Sequence, residues 1–215
     1  MRKITLLALF TIQYAILFAQ KPQLIPPMSH AAYVRALAVS PDGQYVLTCA
    51  GYLDNTVLLW SSAGQLLKIL EGHQNDLLDA EISSDGKYML TLETGNWSLH
   101  LWDNQGRKLR DFKDLNLFDA CFSPNNQHIL TGDGGGGLKL YDLKGTLIRT
   151  FPGGNKLINE VAYSKDGKYL ASCDDEGLIR IYSSEGNLLK TLDGHRQQPV
   201  ISIEFTQDGQ RLVSG

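Results

Sequence analysis

The chain has 215 residues, of which 43% are hydrophobic and 20% are charged, and its formal net charge is −3. That composition is typical of a globular chain rather than a disordered one. The slightly negative charge excludes a strongly basic nucleic-acid binder, so we expect no nucleic-acid partner. Three cysteines without a CxxC pair are too few for a disulfide scaffold and indicate no zinc ribbon. The 21 glycines recur at regular intervals, which indicates many tight turns.

The first 19 residues are typical of a secretory signal peptide. Arg2 and Lys3 precede an uncharged, mainly apolar run over residues 4–19, and the small Ala19 stands where a signal peptidase could cut. An uncleaved membrane anchor is the alternative, but the run is shorter than the ~20 apolar residues that span a bilayer. We therefore predict a signal peptide over residues 1–19, export to the periplasm or the cell exterior, and no stable membrane insertion after cleavage.

The rest of the chain repeats one unit about every 41 residues. A four-residue turn, Ser-Pro-Asp-Gly in its fullest form, starts at residues 40, 83, 123, 164 and 206, so successive starts lie 43, 40, 41 and 42 residues apart. Proline presets one φ, aspartate hydrogen-bonds back to the backbone and glycine accepts a positive φ, which suits a hairpin. An alternating apolar stretch precedes each turn, and these predicted first strands are Val34–Val39, Leu77–Ile82, Leu117–Phe122, Ile158–Tyr163 and Val200–Phe205.

Three more short strands follow in each complete unit. The second strands include Tyr45–Thr48, Tyr88–Leu92 and Tyr169–Ser172; the third are Thr56–Trp60, Ser98–Trp102, Leu138–Tyr141 and Leu178–Tyr182; the fourth are Gln65–Leu70, Arg107–Phe112, Thr146–Phe151 and Asn187–Leu192. Four strands per unit without helical periodicity predict an all-β fold, a β-propeller of four-stranded antiparallel blades. The predicted units are 31–72, 73–113, 114–154, 155–194 and a partial 195–215, after an N-terminal segment over 20–30 with a possible closing strand at 23–25.

These units resemble WD40 repeats. Gly-His pairs at 72–73 and 194–195 open two units, Trp102-Asp103 closes one, and a histidine precedes a threonine by 18 residues in two units. In that family His, Ser or Thr, Asp and Trp side chains form a hydrogen-bonded network within a blade. The resemblance assigns to this structural network His30, Thr48, Asp54 and Trp60 in the first unit and His73, Thr91, Asn96 and Trp102 in the second. Lys113, Gly135, Gly154 and Glu176 stand at the His and Asp positions of the third and fourth units, where we expect no such network.

The resemblance implies a rigid, non-enzymatic scaffold that binds a protein or peptide through the loops of one rim, without a cofactor. The candidate contact residues in these loops are Gln74, Asn75, Asp76, Trp97, Lys156, Arg196 and Gln197. Trp97 can serve as a binding hot spot or can cover the neighbouring blade. The alternative function is a periplasmic propeller enzyme, a hydrolase or a quinone-dependent protein. No nucleophile, base and orienting group can be named for it, and we predict neither catalytic nor metal-binding residues.

Acidic residues recur on the predicted first strands, four residues before the turn. Asp79, Asp119 and Glu160 occupy this position in consecutive units. In a propeller the first strand lines the central channel, so these carboxylates are expected to converge there. Like charges in a narrow space raise one another's pKa or recruit a cation. Separately solvated carboxylates in a water-filled channel are the alternative.

The length and the repeat together predict an incomplete ring. From Lys21 onward 195 residues remain, which is fewer than five units of this period. A seven-bladed ring, the commonest WD40 form, would need about 290 residues at ~41 residues per blade. From the sequence we therefore expect a fragment, or a truncated reading frame, of a longer propeller.

Overall fold

The computed structural model describes residues 29–51, 54–95, 97–112 and 116–215. The predicted signal peptide and most of segment 20–30 lie outside these residues. The described residues form 18 strands and no helix, so none of them offers a helix that could cross a membrane. The all-β prediction is confirmed.

The strands form four complete four-stranded antiparallel sheets, which we call blades 1 to 4, and one two-stranded sheet, the half-blade 5. Blade 1 comprises β1 (Val34–Val39), β2 (Tyr45–Ala50), β3 (Val57–Ser61) and β4 (Leu66–Leu70), and blade 2 comprises β5 (Leu77–Ile82), β6 (Tyr88–Glu93), β7 (Leu99–Asp103) and β8 (Lys108–Phe112). Blade 3 comprises β9 (Leu117–Phe122), β10 (His128–Asp133), β11 (Leu138–Asp142) and β12 (Leu147–Phe151). Blade 4 comprises β13 (Ile158–Tyr163), β14 (Tyr169–Asp174), β15 (Ile179–Ser183) and β16 (Leu188–Leu192), and half-blade 5 comprises β17 (Ile203–Phe205) and β18 (Leu212–Ser214).

Turn chemistry explains why the first two strands of each blade pair in a fixed register. In blade 1 the Ser40 hydroxyl donates to Asp42 Oδ1 at 2.6 Å, and the same oxygen accepts the Gln44 N–H at 3.0 Å. Gly43 then turns the chain with φ +66°, in the left-handed region that favours glycine. In blade 3 Asn126 takes this position with φ +56°, because asparagine tolerates that region better than other side chains.

Neighbouring blades pack through an aromatic side chain on the third strand. Trp102 is 2% exposed and lies in a buried cluster with Leu59 and Leu70 of blade 1. Tyr141 and Tyr182 occupy the same strand position in blades 3 and 4, and each joins a cluster formed with the preceding blade. This repeated interface fixes the rotation of each blade against the next and thereby positions the loops on the rims.

The predicted strands agree with the structure except at some ends. Four of the five first strands have the predicted bounds, and second strands extend one or two residues further than predicted. The predicted strand Val200–Phe205 is wrong at its start, because the Ile201 and Ser202 N–H groups both donate to the Gly215 carbonyl and the ladder begins at Ile203.

The described sheets follow one another along the chain without closing into a ring. The inner strands pack in the order β1, β5, β9, β13 and β17, so each blade is a neighbour of the next. Blade 1 presents Leu37 and Val39 to solvent, 62% and 55% exposed, while half-blade 5 presents Ile201 and Val213, 63% and 62% exposed. Apolar side chains are thus exposed at both ends of the row of blades.

Candidate functional site

The polar network assigned to blade 1 is assembled around Thr48. His30 Nε2 lies 2.7 Å from Thr48 Oγ1, and the Trp60 indole N–H donates to the same hydroxyl at 2.8 Å. Asp54 lies 3.4 Å from His30 Nδ1 and accepts the Thr56 hydroxyl and two main-chain N–H groups of the loop before β1. The four predicted residues therefore meet, with Thr56 as a fifth member that sequence reasoning missed.

Blade 2 repeats this geometry around Thr91. His73 Nε2 lies 2.9 Å from Thr91 Oγ1, His73 Nδ1 lies 3.2 Å from the Leu70 carbonyl, and Trp102 Nε1 donates to Thr91 at 2.9 Å. Burial, with His100 nearby, lowers the pKa of His73 to about 4, so the ring is neutral at physiological pH. Asn96 lies outside the described residues. His73 thus links the main chain at Leu70 to Thr91, and Thr91 also receives the Trp102 N–H, so the network ties three parts of the blade together.

Blades 3 and 4 each contain an ion pair between the last residue of the second strand and the second residue of the third strand. Asp133 Oδ2 accepts Lys139 Nζ at 2.8 Å, and Asp174 Oδ2 accepts Arg180 Nη1 at 2.5 Å. The other carboxylate oxygen of each aspartate accepts two N–H groups of its own turn, at 2.7 to 3.0 Å. Lys113 lies outside the described residues. Sequence reasoning missed these pairs, although an acid ending the second strand and a base at the second residue of the third strand recur in both units.

Half-blade 5 keeps one contact of the same kind. His195 Nε2 lies 2.8 Å from the Ser214 hydroxyl, 19 residues further along the chain. The separation is close to the 18 residues between His73 and Thr91. The histidine that opens the fifth unit therefore reaches the second strand of its own sheet.

The candidate rim residues differ in how accessible they are. Gln74, Lys156, Arg196 and Gln197 are exposed, while Asn75, Asp76 and Trp97 are half-buried. Lys156 Nζ lies 3.6 Å from a Glu176 carboxylate oxygen. Arg196 and Gln197 adopt φ values of +54° and +62°. Two consecutive non-glycine residues in the left-handed region fix the direction in which this exposed loop presents its side chains.

Trp97 is the rim residue with the most distinctive environment. Its ring lies 4.3 Å, centroid to centroid, from the ring of Phe118 at the start of blade 3, and the two planes are inclined by 31°. Trp97 adopts φ +51°, which an aromatic residue rarely does. The two half-buried rings therefore form a partly exposed aromatic pair across the junction of blades 2 and 3.

The acidic residues lie together on the inner wall. Asp79, Asp119 and Glu160 line one open cavity of about 600 Å³, together with Glu81 and Glu204. Sequence reasoning missed the last two, although alternate residues of a strand point to the same side. Among the residues that the structure describes, no three His, Cys, Asp or Glu side chains are grouped closely enough to hold a metal ion.

These carboxylates make bonds between blades. Glu81, Asp119 and Glu160 each accept a main-chain N–H of the next blade, at 2.8, 2.7 and 2.7 Å respectively. Burial raises the pKa of Glu81 to about 8, and the charge of Asp79 adds to this effect. Burial and the charge of Asp79 also raise the pKa of Asp119 well above its usual range. The inner wall is thus a set of inter-blade hydrogen bonds, two of whose acceptors, Glu81 and Asp119, hold protons more tightly than ordinary carboxylates do.

The four-stranded antiparallel sheets, of which blades 2 to 4 each pack on the preceding blade through a third-strand aromatic residue, define a repeat protein of the β-propeller class. A family model described as "WD domain, G-beta repeat" matches residues 23–61, 64–103, 108–142, 145–183 and 186–215. The chain belongs to the WD40-repeat family.

Curated relatives share parts of this chain. It is 31% identical to "Ribosome biogenesis protein WDR12 homolog" of Drosophila persimilis over 160 residues, which cover 63% of this chain and 37% of that protein. It is 35% identical to "WD repeat and SOCS box-containing protein 1" of Danio rerio over 78 residues, 35% of this chain and 18% of that protein. It is 47% identical to "WD repeat domain-containing protein 83" of Danio rerio over 53 residues, 24% of this chain and 16% of that protein. The chain thus spans little more than a third of the first of these relatives.

Proposed function

We propose that this protein is an exported, non-enzymatic WD40 scaffold that binds a protein or peptide through its rim, with the Trp97–Phe118 pair as the centre of the contact. WD40 domains generally mediate protein–protein interactions, which supports the general role. The negative net charge supports a protein or peptide partner rather than a nucleic acid.

The aromatic pair is the observation that carries this proposal. Tryptophan is enriched among the few residues that dominate binding energy at interfaces, particularly where the ring is already held in place. Here stacking on Phe118 fixes the ring of Trp97, and the ring stays partly open to solvent. A left-handed backbone conformation at a tryptophan costs free energy, and such cost concentrates at functional sites.

Peptides selected from a random display library against the immobilised wild-type chain test this surface. Trp97→Ala and Phe118→Ala are each expected to weaken the selected peptides at least about ten-fold, because an interface hot spot contributes ≥ ~2 kcal/mol. Leu109→Ala is the matched control, since Leu109 is 47% exposed on the outer strand of the same blade. Peptides that bind Trp97→Ala as tightly as the wild type, or that respond only to Leu109→Ala, would place the binding surface elsewhere.

The first 19 residues support export, because a basic start, an apolar run and a small residue follow one another there. When the full chain is expressed in a secreting host, we expect the mature protein outside the cytoplasm to begin at Gln20. Intact mass spectrometry of that fraction measures the removed segment directly. Recovery of the chain from membranes with Met1 still present would instead support the retained anchor.

A further inference from the structure

An acid–base pair recurs at the same place in three consecutive blades. An acidic residue ends the second strand, and a basic residue occupies the second position of the third strand, directly above the hairpin that joins them. The pairs are Glu93 and His100 in blade 2, Asp133 and Lys139 in blade 3, and Asp174 and Arg180 in blade 4. Histidine is the one base of the three whose charge ordinarily changes between pH 5 and 8, so the blade 2 pair differs chemically from the other two.

A carboxylate oxygen lies beside each nitrogen of the His100 ring. The imidazole is 3% exposed; its Nδ1 lies 2.6 Å from Asp111 Oδ1, and its Nε2 lies 3.6 Å from Glu93 Oε1. Nε2 is buried and has no hydrogen-bond partner among the described residues. A neutral imidazole donates from one nitrogen only, so it serves one of these carboxylates and turns a lone pair toward the other.

Two further titratable side chains face the His100 ring, one at Nδ1 and one against its edge. Lys108 Nζ, from β8, lies 3.3 Å from Nδ1 and 3.2 Å from Asp111 Oδ1, on the side away from Glu93. The His73 ring, from the loop before β5, meets the His100 ring edge-on with centroids 5.0 Å apart and uses both nitrogens elsewhere. Among these groups only His100 Nε2 faces Glu93, and Asp111, 2.6 Å from Nδ1, favours the neutral tautomer that leaves Nε2 without a proton.

Glu93 connects this pair to the rim. Its side chain is 2% exposed, and Oε2 accepts the main-chain N–H of Gln74 at 3.1 Å. Gln74 lies in the loop over residues 71–76, which joins β4 to β5 and carries three of the candidate contact residues. In blades 3 and 4 the corresponding aspartates instead bind N–H groups of their own turns. Blade 2 thus uses its acidic residue to hold a loop between blades.

We propose that His100 and Glu93 form a proton-dependent latch on the loop over residues 71–76. With both ring nitrogens protonated, His100 holds Glu93 in place and Glu93 holds the Gln74 N–H. When Nε2 loses its proton, the buried carboxylate loses its cationic donor, reorients or takes up a proton itself, and the loop opens more often. This behaviour belongs to the loop itself and does not depend on whether the rim binds a partner.

Amide hydrogen exchange of the full chain, followed residue by residue by NMR, tests the latch. Exchange is expressed as a protection factor, which removes the intrinsic dependence of the exchange rate on pH. The protection factor of the Gln74 N–H is expected to fall about ten-fold between pH 5.5 and 8, because one charge-assisted hydrogen bond is lost. The Leu178 N–H, which Asp174 holds beside Arg180, should keep its protection and serves as the internal control.

Two variants separate the latch from a general loosening of the blade. His100→Arg installs the base of blade 4 and should make Gln74 protection independent of pH, whereas Lys139→His should introduce a similar pH dependence at the Gly137 N–H of blade 3. The second variant decides the question even where the first does not fold. Gln74 protection that stays constant between pH 5.5 and 8 would overturn the proposal, as would a pH dependence of that protection that persists unchanged in His100→Arg.

Discussion

Replacing Arg180 with methionine is expected to lower the free energy of unfolding by about 3 kcal/mol, because it leaves a buried carboxylate without its cation. Asp174 is 1% exposed, and Arg180 Nη1 donates to its Oδ2 at 2.5 Å. The two turn N–H groups that bind Oδ1 remain, so part of the charge stays solvated by the backbone. Urea unfolding followed by circular dichroism measures the loss.

Three further variants identify the cause of that loss. Arg180→Lys keeps the positive charge and should cost less than Arg180→Met. The double variant Asp174→Asn with Arg180→Met removes both charges and should recover part of the stability, since a neutral pair avoids the cost of an isolated buried ion. Lys168→Met breaks an exposed pair with Asp166, whose two side chains are 73% and 44% exposed, and should change stability by less than about 1 kcal/mol. An Arg180→Met variant as stable as Lys168→Met would contradict the expected cost.

Strand positions could be predicted closely from the sequence because two local signals coincide. Alternation of apolar residues marks a strand with one buried face, and the Ser-Pro-Asp-Gly turn fixes where it ends. The bonds from Ser40 and Gln44 to Asp42 are contacts within four residues, so they depend on nothing remote. Prediction was wrong for residues 200–202, where the N–H groups are taken by the carbonyls of Asp174 and Gly215, both distant in the sequence.

The histidine networks could be predicted from spacing, whereas the ion pairs were missed for a definable reason. His73 and Thr91 are related by a motif whose order and interval are fixed. Asp133 and Lys139 lie only six residues apart, but their contact depends on the register of a hairpin that pairs Lys139 with Thr131, two residues before Asp133 on the same strand. Aligning the sequences of the repeat units would reveal the acid that ends the second strand and the base at the second position of the third strand. A motif search by residue type instead leads to the neighbouring Gly135.

The aromatic pair on the rim could be predicted only in part from the sequence. The sequence places Trp97 in a loop and Phe118 on a strand of the next unit, which leaves open whether Trp97 faces solvent or a neighbour. Contact between them depends on the rotation of blade 3 against blade 2, which the buried cluster around Tyr141 sets. Side-chain direction at a blade junction is thus a property of packing between repeats rather than of any single repeat.

The inner wall should make the protein more stable in mild acid than in alkali. Folding raises the pKa of Glu81 to about 8, so between its ordinary pKa near 4.5 and that value the folded chain binds the proton more tightly than the unfolded chain. Its contribution is therefore fully present below pH 4.5 and is lost as the pH rises through 8. Asp79 and Asp119, whose pKa values burial also raises, act in the same direction.

Glu81→Gln isolates this effect. The amide oxygen of glutamine can still accept the Phe122 N–H that Glu81 binds at 2.8 Å, and it carries no charge. At pH 9 we expect the variant to be about 2 kcal/mol more stable than the wild type. This value is smaller than the free energy that corresponds to the whole pKa shift of Glu81, because water at the open wall screens the charge. Below pH 4.5 the two proteins should unfold at the same urea concentration.

Glu204→Gln provides the control for the pH profile. Glu204 occupies the position of Glu81 in half-blade 5 and lines the same cavity, but it is exposed. Its replacement should leave the dependence of stability on pH unchanged, because water already solvates this exposed side chain in the folded chain. If Glu81→Gln and Glu204→Gln both follow the wild-type profile from pH 4 to 9, burial at the inner wall does not couple protons to the packing of the blades.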